Sequence, residues 1–222
     1  MRIHEVSLTV EHLRDSANFY ADVLRLPVAL SDGLAQVTVG SSRLVLKPGE
    51  PFHGVHHLAF GIPPADFVLA QAWLEERVTL IEVNGSVVID GPAGWNSRSL
   101  YFLGPEEILL ELIARDADVT APGSAGTDPR VLSISEVGIG VPDVAAAVRT
   151  LTQELRLPPF PPQGAAFAPV GDHNGLLIVV DQERIWFPSY HQSAARGSLE
   201  LQIEAPHDVP LNLTPHTRIV AA

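Results

Sequence analysis

The sequence contains no cysteine, which excludes disulfides, thiolate metal sites and a cysteine nucleophile. Any metal ion must therefore be bound by histidine, aspartate or glutamate. Basic residues are also few, because 14 Lys and Arg stand against 26 Asp and Glu and give a formal net charge of −12. Such a charge repels phosphate backbones and anionic lipid headgroups, so neither nucleic acid nor a membrane is expected as a partner.

Long apolar runs are absent as well. No segment approaches the roughly 18 apolar residues that a membrane-spanning helix needs, and the start of the chain, Met1 to Glu5, lacks the apolar centre of a signal peptide. Hydrophobic residues nevertheless make up 46% of the 222 residues, which is enough for a substantial core. We therefore expect a globular protein of the cytoplasm.

Short motifs recur at a constant offset along the chain. The segment from Glu5 to Val10 (EVSLTV) returns 131 residues later, from Glu136 to Val141 (EVGIGV). The motif LRLP at 24–27 returns at 155–158 with the same offset. A fixed internal period indicates a fold assembled from copies of one unit, so residues at equivalent positions can be compared within the chain.

The repeating unit reads as β-α-β-β-β. Polar and apolar side chains alternate from Ile3 to Val10, as in a half-buried strand, and a predicted helix ends before Pro27. Three short strands complete the first unit, and a second unit of the same order is predicted between His56 and Ala114.

We predict an α+β fold of repeated βαβββ modules, in which two modules form an open barrel and a third stands alone. The predicted divisions are paired units over 1–115, a linker over 116–130, a third unit over 131–205 that includes a strand near 199–203, and a tail over 206–222. A single unit leaves one face of its sheet uncovered, so we expect a homodimer in which a second copy covers that face.

A family resemblance depends on three features of the sequence. They are the paired units of this order, a helix ending in Leu-x-Leu-Pro, and the motifs VHHLAF at 55–60 and LEL at 110–112. In these features the sequence resembles the vicinal oxygen chelate superfamily, which includes glyoxalase I, ring-cleaving dioxygenases and bleomycin resistance proteins. The resemblance implies a divalent metal, Fe, Mn, Ni or Zn, held inside the barrel by the first and last strands of two units. Carried over to this chain, the ligands are Glu5, His57 and Glu111, while Val45 occupies the remaining position and cannot ligate.

The residues themselves support two of these ligands. His57 matches Glu5 when the second unit is laid over the first, whereas the neighbouring His4 and His56 have the wrong parity. Glu111 lies in an almost wholly apolar strand, where an unpartnered carboxylate is costly to bury. Glu136 repeats Glu5 in the third unit. Glu5 could therefore be a structural feature of the repeated unit and not a metal ligand.

Three polar residues near the predicted Glu111 strand are candidates for contact with substrate. Arg98 or Tyr101 is expected to bind or protonate a substrate oxygen, although the two cannot share a face of a regular strand. Asn96 is expected to orient the substrate. Arg98 reads equally well as a surface charge.

The expected function is a metal-dependent enzyme, dioxygenase-like or glyoxalase-like, acting on a small substrate with vicinal oxygens. The alternative is a metal-free protein of the bleomycin-resistance type that binds a small molecule in the same cavity. A scaffold whose third unit serves association alone is a further possibility.

Overall fold

The computed structural model describes residues 1–221 and consists of two curved seven-stranded sheets with helices on one face of each. The strands of the first two units are β1 (Ile3–Val10), β2 (Val28–Ser31), β3 (Leu34–Val39), β4 (Ser42–Pro48), β5 (His57–Ile62), β6 (Ile89–Asp90), β7 (Ser97–Leu103) and β8 (Leu109–Arg115). The later strands are β9 (Ser133–Val141), β10 (Phe167–Asp172), β11 (Gly175–Asp181), β12 (Leu199–Ile203), β13 (Leu211–Asn212) and β14 (Thr217–Ala221). The α-helices are α1 (Leu13–Asn18), which continues as a π-helical turn over Phe19–Val23, α2 (Phe67–Glu75) and α3 (Val144–Glu154). No helix within the described residues is long and apolar enough to span a membrane.

The predicted α+β fold of repeated modules is confirmed. In the first unit β1 pairs parallel with β4, and the order in the sheet is β1-β4-β3-β2. The second unit repeats this arrangement as β5-β8-β7-β6. The third unit has the order β9-β11-β10. In place of a second strand it has a single β-bridge between Pro159 and Val170.

The structure differs from the sequence-based expectation in which units share a sheet. The first strand of the second unit, β5, pairs antiparallel with β9 of the third unit. The barrel that contains His57 is therefore formed by the second and third units, and not by the first two. All first strands carry the same alternating pattern, so that pattern alone does not select which of them pair.

The C-terminal residues form a shortened fourth unit. Strand β12 pairs parallel with β14, β13 pairs antiparallel with β14, and β12 joins β1 to complete the first sheet. The strand at 199–203 thus does not belong to the third unit, and the predicted tail contains two strands; Ala222 lies outside the described residues. Within residues 1–221 every unit pairs with another unit, so the third unit is not left uncovered as the homodimer prediction assumed.

One core lies between the apolar faces of the two sheets and their helices. The alternation seen in the sequence sets these faces, since Val6 and Leu8 of β1 point into the core together with Leu58 and Phe60 of β5. The opposite face of the second sheet is concave and carries a smaller apolar cluster around Trp186. The residues between β11 and β12, 182–198, cross this concave face.

The predicted linker, 116–130, begins with a 3-10 turn at Asp116–Asp118 and is otherwise irregular. It is attached to the core by the buried carboxylate of Asp66, which precedes α2. That carboxylate accepts hydrogen bonds from the backbone N–H of Ser124, at 2.9 and 3.0 Å, and of Arg130, at 2.8 Å. One buried side chain therefore satisfies backbone groups at two points of the linker.

Candidate functional site

A cavity of about 420 Å³ lies on the concave face of the second sheet, and we call it the barrel cavity. Strands β5, β7, β9 and β11 contribute to its walls, and the 182–198 segment and the 89–95 loop flank its opening. Its lining is mainly apolar and aromatic, with a few ionisable groups. The residues that define it include His57, Ile89, Asp90, Trp95, Tyr101, Glu136, Phe167, Ile178, Arg184, Trp186 and Phe187.

Three metal-ligating side chains converge at this cavity. His57 of β5, Glu111 of β8 and Glu136 of β9 each offer a donor atom, and the three atoms lie within 4.8 Å of one another. All three side chains are buried. Their convergence follows from strand register, because β5 lies between β8 and β9 and all three residues point to the concave side.

His57 is held in the form that ligates a metal. Its Nδ1 lies 3.2 Å from the carbonyl oxygen of Leu109, so Nδ1–H donates there and the lone pair of Nε2 faces the cluster. Nε2 is 3.5 Å from Oε2 of Glu111. Burial lowers the pKa of His57 to about 4, although the hydrogen bond to Leu109 opposes this change. The imidazole is therefore neutral at physiological pH.

Glu111 buries a carboxyl group within the cluster. Only 1% of it is exposed, and among the described residues its Oε2 has no hydrogen-bond partner. Burial raises its pKa to about 8, and the charge of Glu136 adds to the effect, while Ser99, Arg115 and Tyr101 oppose it. A buried oxygen without a partner costs free energy, and a divalent cation at this point would supply the partner.

Glu136 already has a counter-ion in Arg115. The two side chains form a buried ion pair through Oε1 and Nη2, and Nε of Arg115 donates to the Ser135 hydroxyl at 3.3 Å. The guanidinium also lies 5.2 Å from the ring centre of Trp95. Burial raises the pKa of Glu136, and Arg115 opposes that rise. Since Oε1 faces Arg115, Oε2 is the carboxylate oxygen left for a metal.

The strand register identifies a fourth position in the cluster. Glu111 lies opposite Ala59, two residues after His57, and on the paired unit Ile178 lies opposite Gly138, two residues after Glu136. Ile178 is therefore the structural equivalent of Glu111, and its side chain lines the barrel cavity. The chain has three ligating side chains and one isoleucine at the four equivalent positions.

The predicted ligand Glu5 does not join His57 and Glu111. It lies on β1 in the other sheet, where its carboxylate pairs with Nε of Arg43 at 2.8 Å. The position expected of Glu5 is taken by Glu136, its own repeat. The physical reason is the pairing of β5 with β9 in place of β1.

Of the three predicted substrate contacts, one lies in the barrel cavity. The ring of Tyr101 stacks near His57, with 6.3 Å between the ring centres. Arg98 points to the opposite side of β7, where its guanidinium lies 4.4 Å from the ring centre of Phe67. Asn96 is an exposed turn residue with φ of 48° that lines a separate outer groove with Arg98. Their position outside the cavity removes the basis for the roles predicted for Arg98 and Asn96.

Glu136 was not among the predicted ligands, and no role was predicted for Arg115. The offset of 131 residues did mark Glu136 as the equivalent of Glu5, so the signal for this ligand was present. Arg115 shares the parity of Glu111 along β8, which was its only sequence signal. Nothing in the sequence indicated that its charge is compensated by Glu136.

The arrangement of the sheets and modules matches solved structures. A proposed dioxygenase from Bacillus subtilis subsp. subtilis str. 168 aligns with 92% of this chain and 70% of its own, at 17% identity and a TM-score of 0.58. The chain has the vicinal oxygen chelate fold. A V278E mutant of glyoxalase I from Zea mays aligns with 90% of this chain and 74% of its own, at 13% identity and a TM-score of 0.57. No protein-family model matches the sequence, and neither does any curated protein. What these structures share with the chain is its fold.

Proposed function

We propose that the protein is a metal-dependent enzyme of the vicinal oxygen chelate type, with its active site in the barrel cavity. Glu111 carries this proposal, because among the described residues its buried Oε2 has no hydrogen-bond partner. Two further side chains that can ligate a metal lie close to it. The proposed ligands are His57, Glu111 and Glu136. The substrate is a small molecule with two neighbouring oxygens. A cytoplasmic location and a homodimer stay predictions, which cell fractionation and sedimentation would test.

The three donor atoms favour certain metals and, with them, one type of reaction. One imidazole nitrogen and two carboxylates suit Mn, Ni or Zn, whereas non-haem iron oxygenases use two histidines and one carboxylate. A bound divalent ion would chelate the two substrate oxygens and polarise a carbonyl group. The set therefore favours a glyoxalase-like isomerase or lyase over a dioxygenase-like enzyme.

Tyr101 is the side chain of the cavity placed to donate a hydrogen bond to the substrate. Burial raises the pKa of the Tyr101 phenol well above 10, and the nearby charge of Glu111 adds to this, so the phenol stays protonated. It is therefore a hydrogen-bond donor for a substrate oxygen. Trp186, whose ring centre is 5.2 Å from that of His57, covers the cluster and keeps water from it.

A metal-free binding protein is the second candidate, and the pair of Arg115 and Glu136 favours it. This pair carries no net charge, His57 is neutral, and a pKa of about 8 keeps Glu111 mostly protonated at neutral pH. The cluster is thus close to neutral without any cation. The aromatic walls of the cavity would then bind a small molecule without catalysis.

Metal analysis distinguishes the two candidates. The protein would be purified without chelator, and its metal content measured by mass spectrometry alongside Glu111→Gln and Glu136→Gln. Glu5→Gln is the matched control, because it makes the same substitution at the equivalent repeat position in the other sheet. The enzyme proposal predicts about one metal ion per chain, lost in both cluster variants and kept in the control. An empty wild-type protein that also fails to bind added Mn, Ni or Zn would contradict it.

A further inference from the structure

A single cation without an acidic partner lies in the lining of the barrel cavity. Arg184 follows β11 in the 182–198 segment and is half-buried, with its guanidinium 5.0 Å from the ring centre of Phe167. Among the described residues no carboxylate lies within 4.0 Å of it. The adjacent Glu183 pairs with Arg196, away from the cavity. Partial burial also lowers the pKa of Arg184, because water solvates the charge less completely there.

The walls around this cation are flat and apolar. Five aromatic side chains line the cavity, and they are Trp95, Tyr101, Phe167, Trp186 and Phe187. Trp186 is fixed, since its Nε1 donates to the carbonyl of Val55 at 3.0 Å, whereas the Phe187 ring is 53% exposed at the mouth. Aromatic walls favour a ligand that itself presents a flat π surface. A volume of about 420 Å³ lies in the range of small-molecule sites.

We propose that the barrel cavity binds an aromatic carboxylate, with its ring between the aromatic walls and its carboxylate on Arg184. This proposal rests on the proposed function only in assigning the ligand to the same cavity, and it does not require a metal. A guanidinium forms charge-assisted, often bidentate hydrogen bonds to a carboxylate, and a partly desolvated site strengthens them. The overall charge of −12 repels anions, so a local cation is what allows this one to bind.

Asp90 also lines the cavity and favours the opposite ligand charge. An aromatic amine would be expected if the carboxylate of Asp90, and not Arg184, set the specificity. Because the two residues predict opposite preferences, probes that differ only in their polar group separate them.

Calorimetric titration of the metal-free protein, kept in EDTA at pH 7, tests the proposal with 2-naphthoate, 2-naphthamide and 2-naphthylmethylamine. We expect 2-naphthoate to bind about tenfold or more tightly than the amide, which is the usual effect of one charged hydrogen-bonded contact. Arg184→Gln is expected to abolish this difference. Arg196→Gln removes a cation from the same segment outside the cavity and is expected to leave it unchanged.

Any one of four results would overturn the assignment. They are equal binding of 2-naphthoate and 2-naphthamide or no binding of either, an unchanged preference in Arg184→Gln, and tightest binding of the amine. Thermal unfolding of both variants, compared with the wild type, verifies that each is folded. Since all titrations are made without metal, a negative result here leaves the metal analysis to decide the proposed function independently.

Discussion

The buried carboxyl group of Glu111 makes the stability of the metal-free protein depend on pH near neutrality. Its pKa is about 8 in the folded protein against an ordinary value of 4.5. Between these values the folded chain holds a proton that the unfolded chain has released, so stability falls as the pH rises. The equilibrium constant for unfolding then increases up to tenfold for each pH unit.

The buried histidines act in the opposite direction, but over a lower range. Burial lowers the pKa of His56 and of His57 to about 4, from an ordinary value of 6.5. Between about pH 4 and about pH 7.5 the unfolded chain holds more protons at these two residues, so their contribution to stability rises with pH and levels off only above that range. From pH 6.5 to 8 we expect Glu111 to lower stability by about 2 kcal/mol, against a rise of less than about 1 kcal/mol from the two histidines. The histidine contribution is the same in a variant that changes Glu111 alone, so the difference between that variant and the wild type isolates Glu111.

Urea unfolding in EDTA at four pH values between 6.5 and 8 measures this effect. Glu111→Gln replaces the protonated acid with a neutral group of the same shape, so its free energy of unfolding should fall by about 2 kcal/mol less than that of the wild type over the interval. Glu5→Gln should keep the wild-type slope. Parallel curves for the wild type and Glu111→Gln would refute the reasoning, because they would show that Glu111 is ionised throughout.

Three further predictions concern other positions. Ile178→Glu supplies a fourth ligand at the position equivalent to Glu111, and we expect tighter binding of Zn or Ni in calorimetry; unchanged affinity would contradict the symmetry of the site. Gly138→Ala places a Cβ 2.5 Å from the Trp186 ring, and we expect a loss of about 1–3 kcal/mol in urea unfolding with altered tryptophan fluorescence. Asp66→Asn weakens the attachment of the linker, and we expect a loss of about 1–3 kcal/mol with faster proteolysis within 116–130, whereas unchanged cleavage would show that the linker is held by other contacts.

The repeated unit was predictable because it depends on local patterns. Alternation along the strands, the proline after the first helix and the fixed offset are all visible in the sequence, and the structure confirms the units they indicate. The fourth unit escaped prediction because it is short and has lost its helix, so Leu199–Ile203 resembled the end of the third unit. His57 and Glu111 lie close together because both belong to one unit, where a parallel pair of strands fixes their register.

The sequence by itself determined the module, the inward parity of its ionisable residues, and the equivalence of Glu5 and Glu136. Only the tertiary structure decided which of these two glutamates meets His57, because that choice depends on the pairing of strands from different units. Strands with the same sequence pattern cannot be distinguished as pairing partners from the sequence. In the folded protein each edge of a strand pairs with only one other strand. The same pairing placed Arg115 beside Glu136 and Ile178 at the fourth position, and it thereby set the charge of the site.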